Sequence, residues 1–156
     1  MGLRGFSHVA VGVRDMDRAL EFYRDVVGLH VRFDETEEFP GRDGMAAWKR
    51  RGVYLELPGD DRGSFVVLDQ QISPEPWGDP AELFQVGVHH FAFLTDDIDA
   101  VADRARARGF EPTVGPSNAD SLTYGLPPGG KIRTMFLNDA EGNAVQFDQP
   151  LDGTTE

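Results

Sequence analysis

A chain of 156 residues with 40% hydrophobic side chains can build one compact domain or two small halves. It has no cysteine, which excludes disulfides and thiolate metal sites, and its formal charge of −12 disfavours sequence-independent binding to the phosphates of nucleic acid, which needs basic surface. No apolar run reaches the ~20 residues of a membrane span, and the N-terminus lacks the charged-then-apolar layout of a signal peptide, so a soluble cytoplasmic protein is expected, with neither nucleic acid nor membrane as partner.

The first apolar stretch, FSHVAVGV (6–13), alternates. Val9, Val11 and Val13 fall on one face of a strand, and His8, Ala10 and Gly12 on the other. Asp15 is placed to cap a helix whose apolar stripe is Met16, Ala19, Leu20, Tyr23 and Val27, with Gly28 as its stop. An extended segment GLHVRFDE follows, and its His30 is expected to face solvent. VYLELPGDDRGSFVVLDQ (53–70) reads as strand, turn, strand. Tyr54 and Glu56 alternate there with Val53, Leu55 and Leu57. Residues 72–87 carry Pro74, Pro76 and Pro80, which oppose a regular strand or a long helix.

VHHFAFLT (88–95) then opens a second round. Phe91 and Phe93 should face a helix, while His90, Ala92 and Leu94 face away and His89 points opposite to His90. Asp97 caps a helix with Ile98, Val101, Ala102 and Ala105 on its apolar face, and Gly109 ends it. The extended GFEPTVGP, the loop SLTYGLPPGGK and the hairpin IRTMFLNDAEGNAVQFDQ (132–149) complete the round. Beyond Pro150 a frayed tail is expected.

The two rounds are a repeat. His8 precedes Asp15 by seven residues, as His90 precedes Asp97. The two hairpins align without a gap, which pairs Gly63 with Gly142, Val67 with Gln146, Asp69 with Asp148 and Tyr54 with Arg133. The expectation is an α+β chain of two βαβββ modules, 1–71 and 88–149, joined by a linker at 72–87 and followed by a tail at 150–156. Each helix covers one face of its sheet. The bare faces of the two curved mixed sheets are then expected to pair around a central pocket, with a histidine from each.

Modules opening H-V-A or H-F-A-F and closing D-x-x-G-N-x-V-x-F resemble the vicinal oxygen chelate superfamily, which includes glyoxalase I, bleomycin resistance proteins and extradiol dioxygenases. The resemblance spans residues 4 to about 149. It implies a divalent metal (iron, manganese, nickel or zinc), held by a histidine from the first strand and a glutamate from the last strand of each module. His8 and His90 occupy the histidine positions, but Gln146 and Val67 stand at the glutamate positions. The implied ligand set is therefore His8, His90 and Gln146, with open positions for a vicinally oxygenated small molecule in dioxygenase- or lyase-like chemistry.

Asp69, Asp148 and Glu56 are alternative carboxylate donors. Glu56 is also a candidate general base, and Tyr124 a candidate catalytic residue over the pocket mouth. Tyr54 and Arg133 are candidate substrate contacts, Arg133 through a bidentate carboxylate pair. The resemblance implies a homodimer. It leaves open a second class, a metal-free protein that sequesters an antibiotic-like ligand, in which both histidines merely pack or hydrogen-bond.

Overall fold

A computed structural model describes residues 2, 5–59, 63–125 and 128–151. The tail 152–156, the hairpin tip 60–62 and residues 126–127 of the expected loop over the pocket mouth lie outside the described residues. The chain divides into two compact units, Met1–Gly78 and Asp79–Glu156.

In the first unit, β1 (His8–Gly12) leads into α1 (Met16–Leu20), which continues as a π-helical segment, Glu21–Val26. Asp15 Oδ1 accepts from the Arg18 amide at 3.0 Å, satisfying a donor of the first turn. The widened segment, in which the Val27 amide donates to the Phe22 carbonyl, rotates the apolar stripe. Phe22 and Val26 are therefore fully buried, and Val27, expected in the stripe, is only half-buried. Gly28 has φ +94°, the left-handed conformation that ends the helix.

Three strands follow: β2 (His30–Phe39), β3 (Trp48–Glu56) and β4 (Phe65–Ser73). The sheet order is β1-β4-β3-β2, with β1 parallel to β4 and the other pairs antiparallel. Met16, Ala19, Leu20, Phe22 and Tyr23 of the helical segment are buried, as are Val11, Val53, Leu55, Val66 and Leu68 from the strands.

The second unit repeats this plan. β5 (Phe91–Leu94), α2 (Ile98–Arg106), β6 (Pro112–Asp120), β7 (Lys131–Asn138) and β8 (Ala144–Pro150) form a sheet of order β5-β8-β7-β6. β5 and β8 are parallel. A single 3-10 turn, Ser121–Tyr124, follows β6. Asp97 caps α2 through the Ala100 amide at 2.9 Å, and Ile98, Val101, Ala102 and Ala105 are its buried face. The segment between β4 and β5 holds neither helix nor strand, in keeping with its prolines. β4 runs through Ser73, so this segment starts two residues later than the sequence suggested.

The repeat extends to individual hydrogen bonds. The Val13 amide donates to the Asp69 carbonyl, and the Thr95 amide to the Asp148 carbonyl. Gln70 Nε2 donates to the Arg14 carbonyl, and Gln149 Nε2 to the Asp96 carbonyl. Arg51 reaches Asp17 on the first helix, as Arg133 reaches Asp99 on the second.

One element of the expected alignment is corrected. The β3–β4 connection, 57–64, is longer than the β7–β8 connection, 139–143. The gapless superposition of the hairpins therefore holds for β4 on β8 but slips for β3 on β7. Val67 pairs Tyr54 across the ladder, whereas Gln146 pairs Phe136. The counterpart of Tyr54 is thus Phe136, and that of Arg133 is Arg51.

Candidate functional site

The helix-free face of the second unit carries a dense polar network. Ala92 lies beside Gln146 in the ladder, and Phe136 lies on its other side. Gln146 is 8% exposed. Its Nε2 lies 2.9 Å from Tyr124 Oη, 3.1 Å from Thr134 Oγ1 and 2.9 Å from Asp148 Oδ1, so its two amide hydrogens are shared among three acceptors. Every side-chain hydrogen bond of Gln146 among the described residues runs through this nitrogen, so its Oε1 has none. Tyr124 Oη donates to Asp148 Oδ1 at 2.8 Å. The 3-10 turn brings Tyr124 there: Asp120 accepts from the Leu122 amide, and Gly125, at φ +69°, closes the turn. Burial pushes the Tyr124 phenol above its ordinary value, and the neighbouring Asp148 carboxylate adds to the shift.

His90 sits just before β5, its ring edge-on to Phe136 with centroids 5.5 Å apart. Burial lowers its pKa, and the neighbouring His89 imidazole lowers it further. The expectation that His89 points away is overturned: His89 Nδ1 and His90 Nδ1 are 2.8 Å apart. Both residues precede the strand proper, where strict alternation does not yet apply.

In the first unit the corresponding face is aromatic. His8 is exposed and stacks on Phe65, centroids 5.0 Å apart and planes 17° apart. Phe65 stacks on Tyr54 at 5.5 Å, and Tyr54 meets Phe33 edge-on at 5.0 Å. The Arg32 guanidinium lies 4.7 Å above Phe65 and 3.4 Å from the Glu56 carboxylate. Glu56 is 42% exposed and ion-paired, so it stands in wet surroundings. Val67 is buried at the position equivalent to Gln146.

Further along this face, Arg50 bridges Asp69 at 2.6 Å and Glu37 at 2.9 Å, lies 3.3 Å from Tyr54 Oη, and sits over Trp48. Asp69 Oδ1 is buried with no hydrogen-bond partner among the described residues.

Of the residues singled out from sequence, the second unit gathers His90, Gln146 and Tyr124, and the first gathers His8, Tyr54 and Glu56. Arg133 is turned to the helix, its guanidinium held bidentately by Asp99 at 2.6 and 2.8 Å. His30 is exposed, as expected. Three participants were not assigned from sequence. Thr134 was missed altogether, although it shares the alternation class of Phe136. Arg50 and Glu37 lie in a charged stretch with no periodic apolar signal, and only the ladder register brings them to Asp69.

The donors on these faces are imidazole, amide and carboxylate groups, which suit a borderline divalent cation. Among the described residues no three His, Asp or Glu side chains converge into a metal cage. No helix among the described residues is long and apolar enough to cross a membrane.

Comparison with known proteins agrees with this architecture. Lactoylglutathione lyase GLX1 of Arabidopsis thaliana is 28% identical over 151 residues, covering 94% of this chain, which spans 44% of that longer protein. Lactoylglutathione lyase of Haemophilus influenzae is 26% identical, with 90% of this chain and 88% of the relative covered. A glyoxalase family protein from Bacillus cereus shares the fold at TM-score 0.78, 20% identity and 97% coverage of both chains. TnmS3, an antibiotic binding protein from Streptomyces sp. CB03234, aligns at TM-score 0.62 and 26% identity, covering 97% of this chain and 99% of its own. The family model of the Glyoxalase/Bleomycin resistance protein/Dioxygenase superfamily matches residues 5–147, and with its two βαβββ units the chain belongs to that superfamily.

Proposed function

We propose that this protein binds a small, vicinally oxygenated molecule at a divalent metal held by His90 and Gln146 of the second unit, with His8, at the histidine position of the first module, as the further ligand that the superfamily resemblance implies. The observation that supports this reading best is the Gln146 amide. Tyr124, Thr134 and Asp148 surround its nitrogen, and among the described residues the carbonyl oxygen has no hydrogen-bond partner. A buried glutamine locked in one orientation is pre-organised to present that oxygen. Iron, manganese, nickel and zinc all accept this donor set. A cation bound there supplies Lewis-acid polarisation of a chelating substrate oxygen.

The chain's own residues then hold protons. Tyr124, kept protonated by burial and bonded to Asp148, is suited to donate a hydrogen bond to a developing oxyanion. Glu56 is held by Arg32 and half-exposed, so its carboxylate is engaged by a cation and does not stand free in a dry cavity. Tyr54, within the aromatic row, offers a flat contact to substrate. Arg133 is already occupied by Asp99, so it is the least suited of the sequence candidates to bind substrate. The chemistry is dioxygenase- or lyase-like, in a cytoplasmic homodimer. Light scattering that shows only a 17.2 kDa species at micromolar concentration rejects the dimer.

A specific observation also favours the second reading, metal-free sequestration of an aromatic ligand. The first unit offers a stacked row of His8, Phe65 and Tyr54 where Val67 removes the carboxylate. Isothermal titration of iron(II), manganese, nickel and zinc into metal-free protein separates the two. Stoichiometric binding that is lost in both His8→Ala and His90→Ala supports the metalloprotein. No binding by the wild type, with retained binding of an aromatic ligand by His8→Ala, establishes sequestration instead.

A further inference from the structure

His8 and His90 each have Nδ1 engaged by the side chain immediately before them. In the first unit Ser7 Oγ lies 3.1 Å from His8 Nδ1. In the second, His89 Nδ1 lies 2.8 Å from His90 Nδ1. The residue types differ, but the geometry recurs at equivalent places in the repeat. Neither contact follows from strand alternation, which would send neighbouring side chains to opposite faces.

The contact between the two imidazoles admits one proton. Two bare Nδ1 lone pairs at 2.8 Å repel, and two Nδ1–H groups clash, so one ring donates and the other accepts. A ring with its proton on Nδ1 has a bare Nε2. Among the described residues no hydrogen bond reaches His90 Nε2. Each ring is also buttressed by an aromatic neighbour: His90 by Phe136, and His89 by Phe84 with centroids 5.9 Å apart.

We infer that Ser7 and His89 are positioning residues: each accepts the Nδ1 proton of the histidine that follows it, and so fixes His8 and His90 in the tautomer whose Nε2 lone pair is bare and aimed for ligation. A ligating imidazole with a hydrogen-bonded second nitrogen is more basic and better oriented than one without. This inference rests on the metal-binding reading for its purpose, but the tautomer itself is a property of the metal-free protein.

The test is two-bond 1H–15N correlation spectroscopy on metal-free, 15N-histidine-labelled protein at about pH 8.5, above the ordinary histidine pKa. The wild type should show His90 protonated on Nδ1. His89→Ala should move His90 to the Nε2–H form that free histidine favours, and His89→Asn, whose amide oxygen can accept, should restore the Nδ1–H form. Ser7→Ala should shift His8 in the same way and leave His90 unmoved. Amide spectra of each variant report that the fold is retained.

Zinc titration of the same samples should then show about a tenfold weaker affinity for His89→Ala, with His89→Asn close to wild type. A wild-type His90 carrying its proton on Nε2, or a tautomer unchanged in His89→Ala, overturns the inference. If the tautomers behave as stated but the wild type binds no zinc, manganese, nickel or iron(II), the positioning role stands and the metal reading falls.

Discussion

Replacing Gln146 by glutamate tests the network at its centre. From sequence alone the change restores the anionic donor that the superfamily resemblance implies at this position. The structure sets a cost against that gain. Gln146 Nε2 is 2.9 Å from Asp148 Oδ1, and the Asp148 side chain is buried. An isosteric carboxylate would put a second negative charge at that distance and remove the donor between them. At an effective dielectric of about 20, two such charges repel by roughly 6 kcal/mol.

Protonation is the cheaper way out. Keeping a glutamic acid of ordinary pKa about 4.3 protonated at pH 7 costs roughly 4 kcal/mol, at 1.36 kcal/mol per unit. The folded-state pKa of the new residue is therefore raised above its unfolded value. The fold binds more protons than the unfolded chain, so the deficit is absent below about pH 4.3 and grows as pH rises. Urea denaturation should show Gln146→Glu less stable than wild type by about 2–4 kcal/mol at pH 7 and by about 1 kcal/mol at pH 5. A bound dication should offset part of the loss at pH 7. Equal stability of variant and wild type at both pH values in metal-free buffer would show that Asp148 and residue 146 do not face each other as described.

Tyr124→Phe should cost about 1–3 kcal/mol in urea denaturation, because Asp148 Oδ1 loses a donor and Gln146 an acceptor. Because the Tyr124 pKa is raised in the fold, wild-type stability tied to this group is present below the ordinary tyrosine value and is lost as pH rises through the folded value; Tyr124→Phe should flatten that alkaline limb. Arg50→Met should destabilise by about 1–3 kcal/mol, since it leaves Glu37 and the half-buried Asp69 without their shared cation; an unchanged midpoint refutes that bridging role. Gly115→Ala should cost more than about 2 kcal/mol, because a Cβ there would stand 2.4 Å from the Thr134 carbonyl at φ +74°. Gly12→Ala, with open space at its Cβ and ordinary strand geometry, should stay within about 0.5 kcal/mol, and thermal melts of the pair report the contrast.

The order of elements was legible in the sequence because strand and helix periodicities are local. His8 and His90, each seven residues before a capping aspartate, marked the repeat, and the alternation of Val9, Val11 and Val13 against His8 and Ala10 marked the bare face of the sheet. The ladder register of β1 on β4 and β5 on β8 put Val67 and Gln146 at equivalent places, as the repeat required. The hairpin alignment failed at β3 because a longer turn shifts one strand against its partner without altering its apolar pattern. The face that Arg133 takes, against Asp99 of α2, has the same cause: it depends on the register, and the register depends on the loop.

What only the tertiary structure decided is the hydrogen bonding. That Gln146 is held by its nitrogen depends on Tyr124, Thr134 and Asp148 arriving from a 3-10 turn and two strands. No local pattern encodes that meeting. The contact of His89 with His90 is local in sequence, yet it exists because the backbone there has not entered the strand. Periodicity assigns a side chain to a face, and only the packed tertiary structure decides which of its atoms is left over.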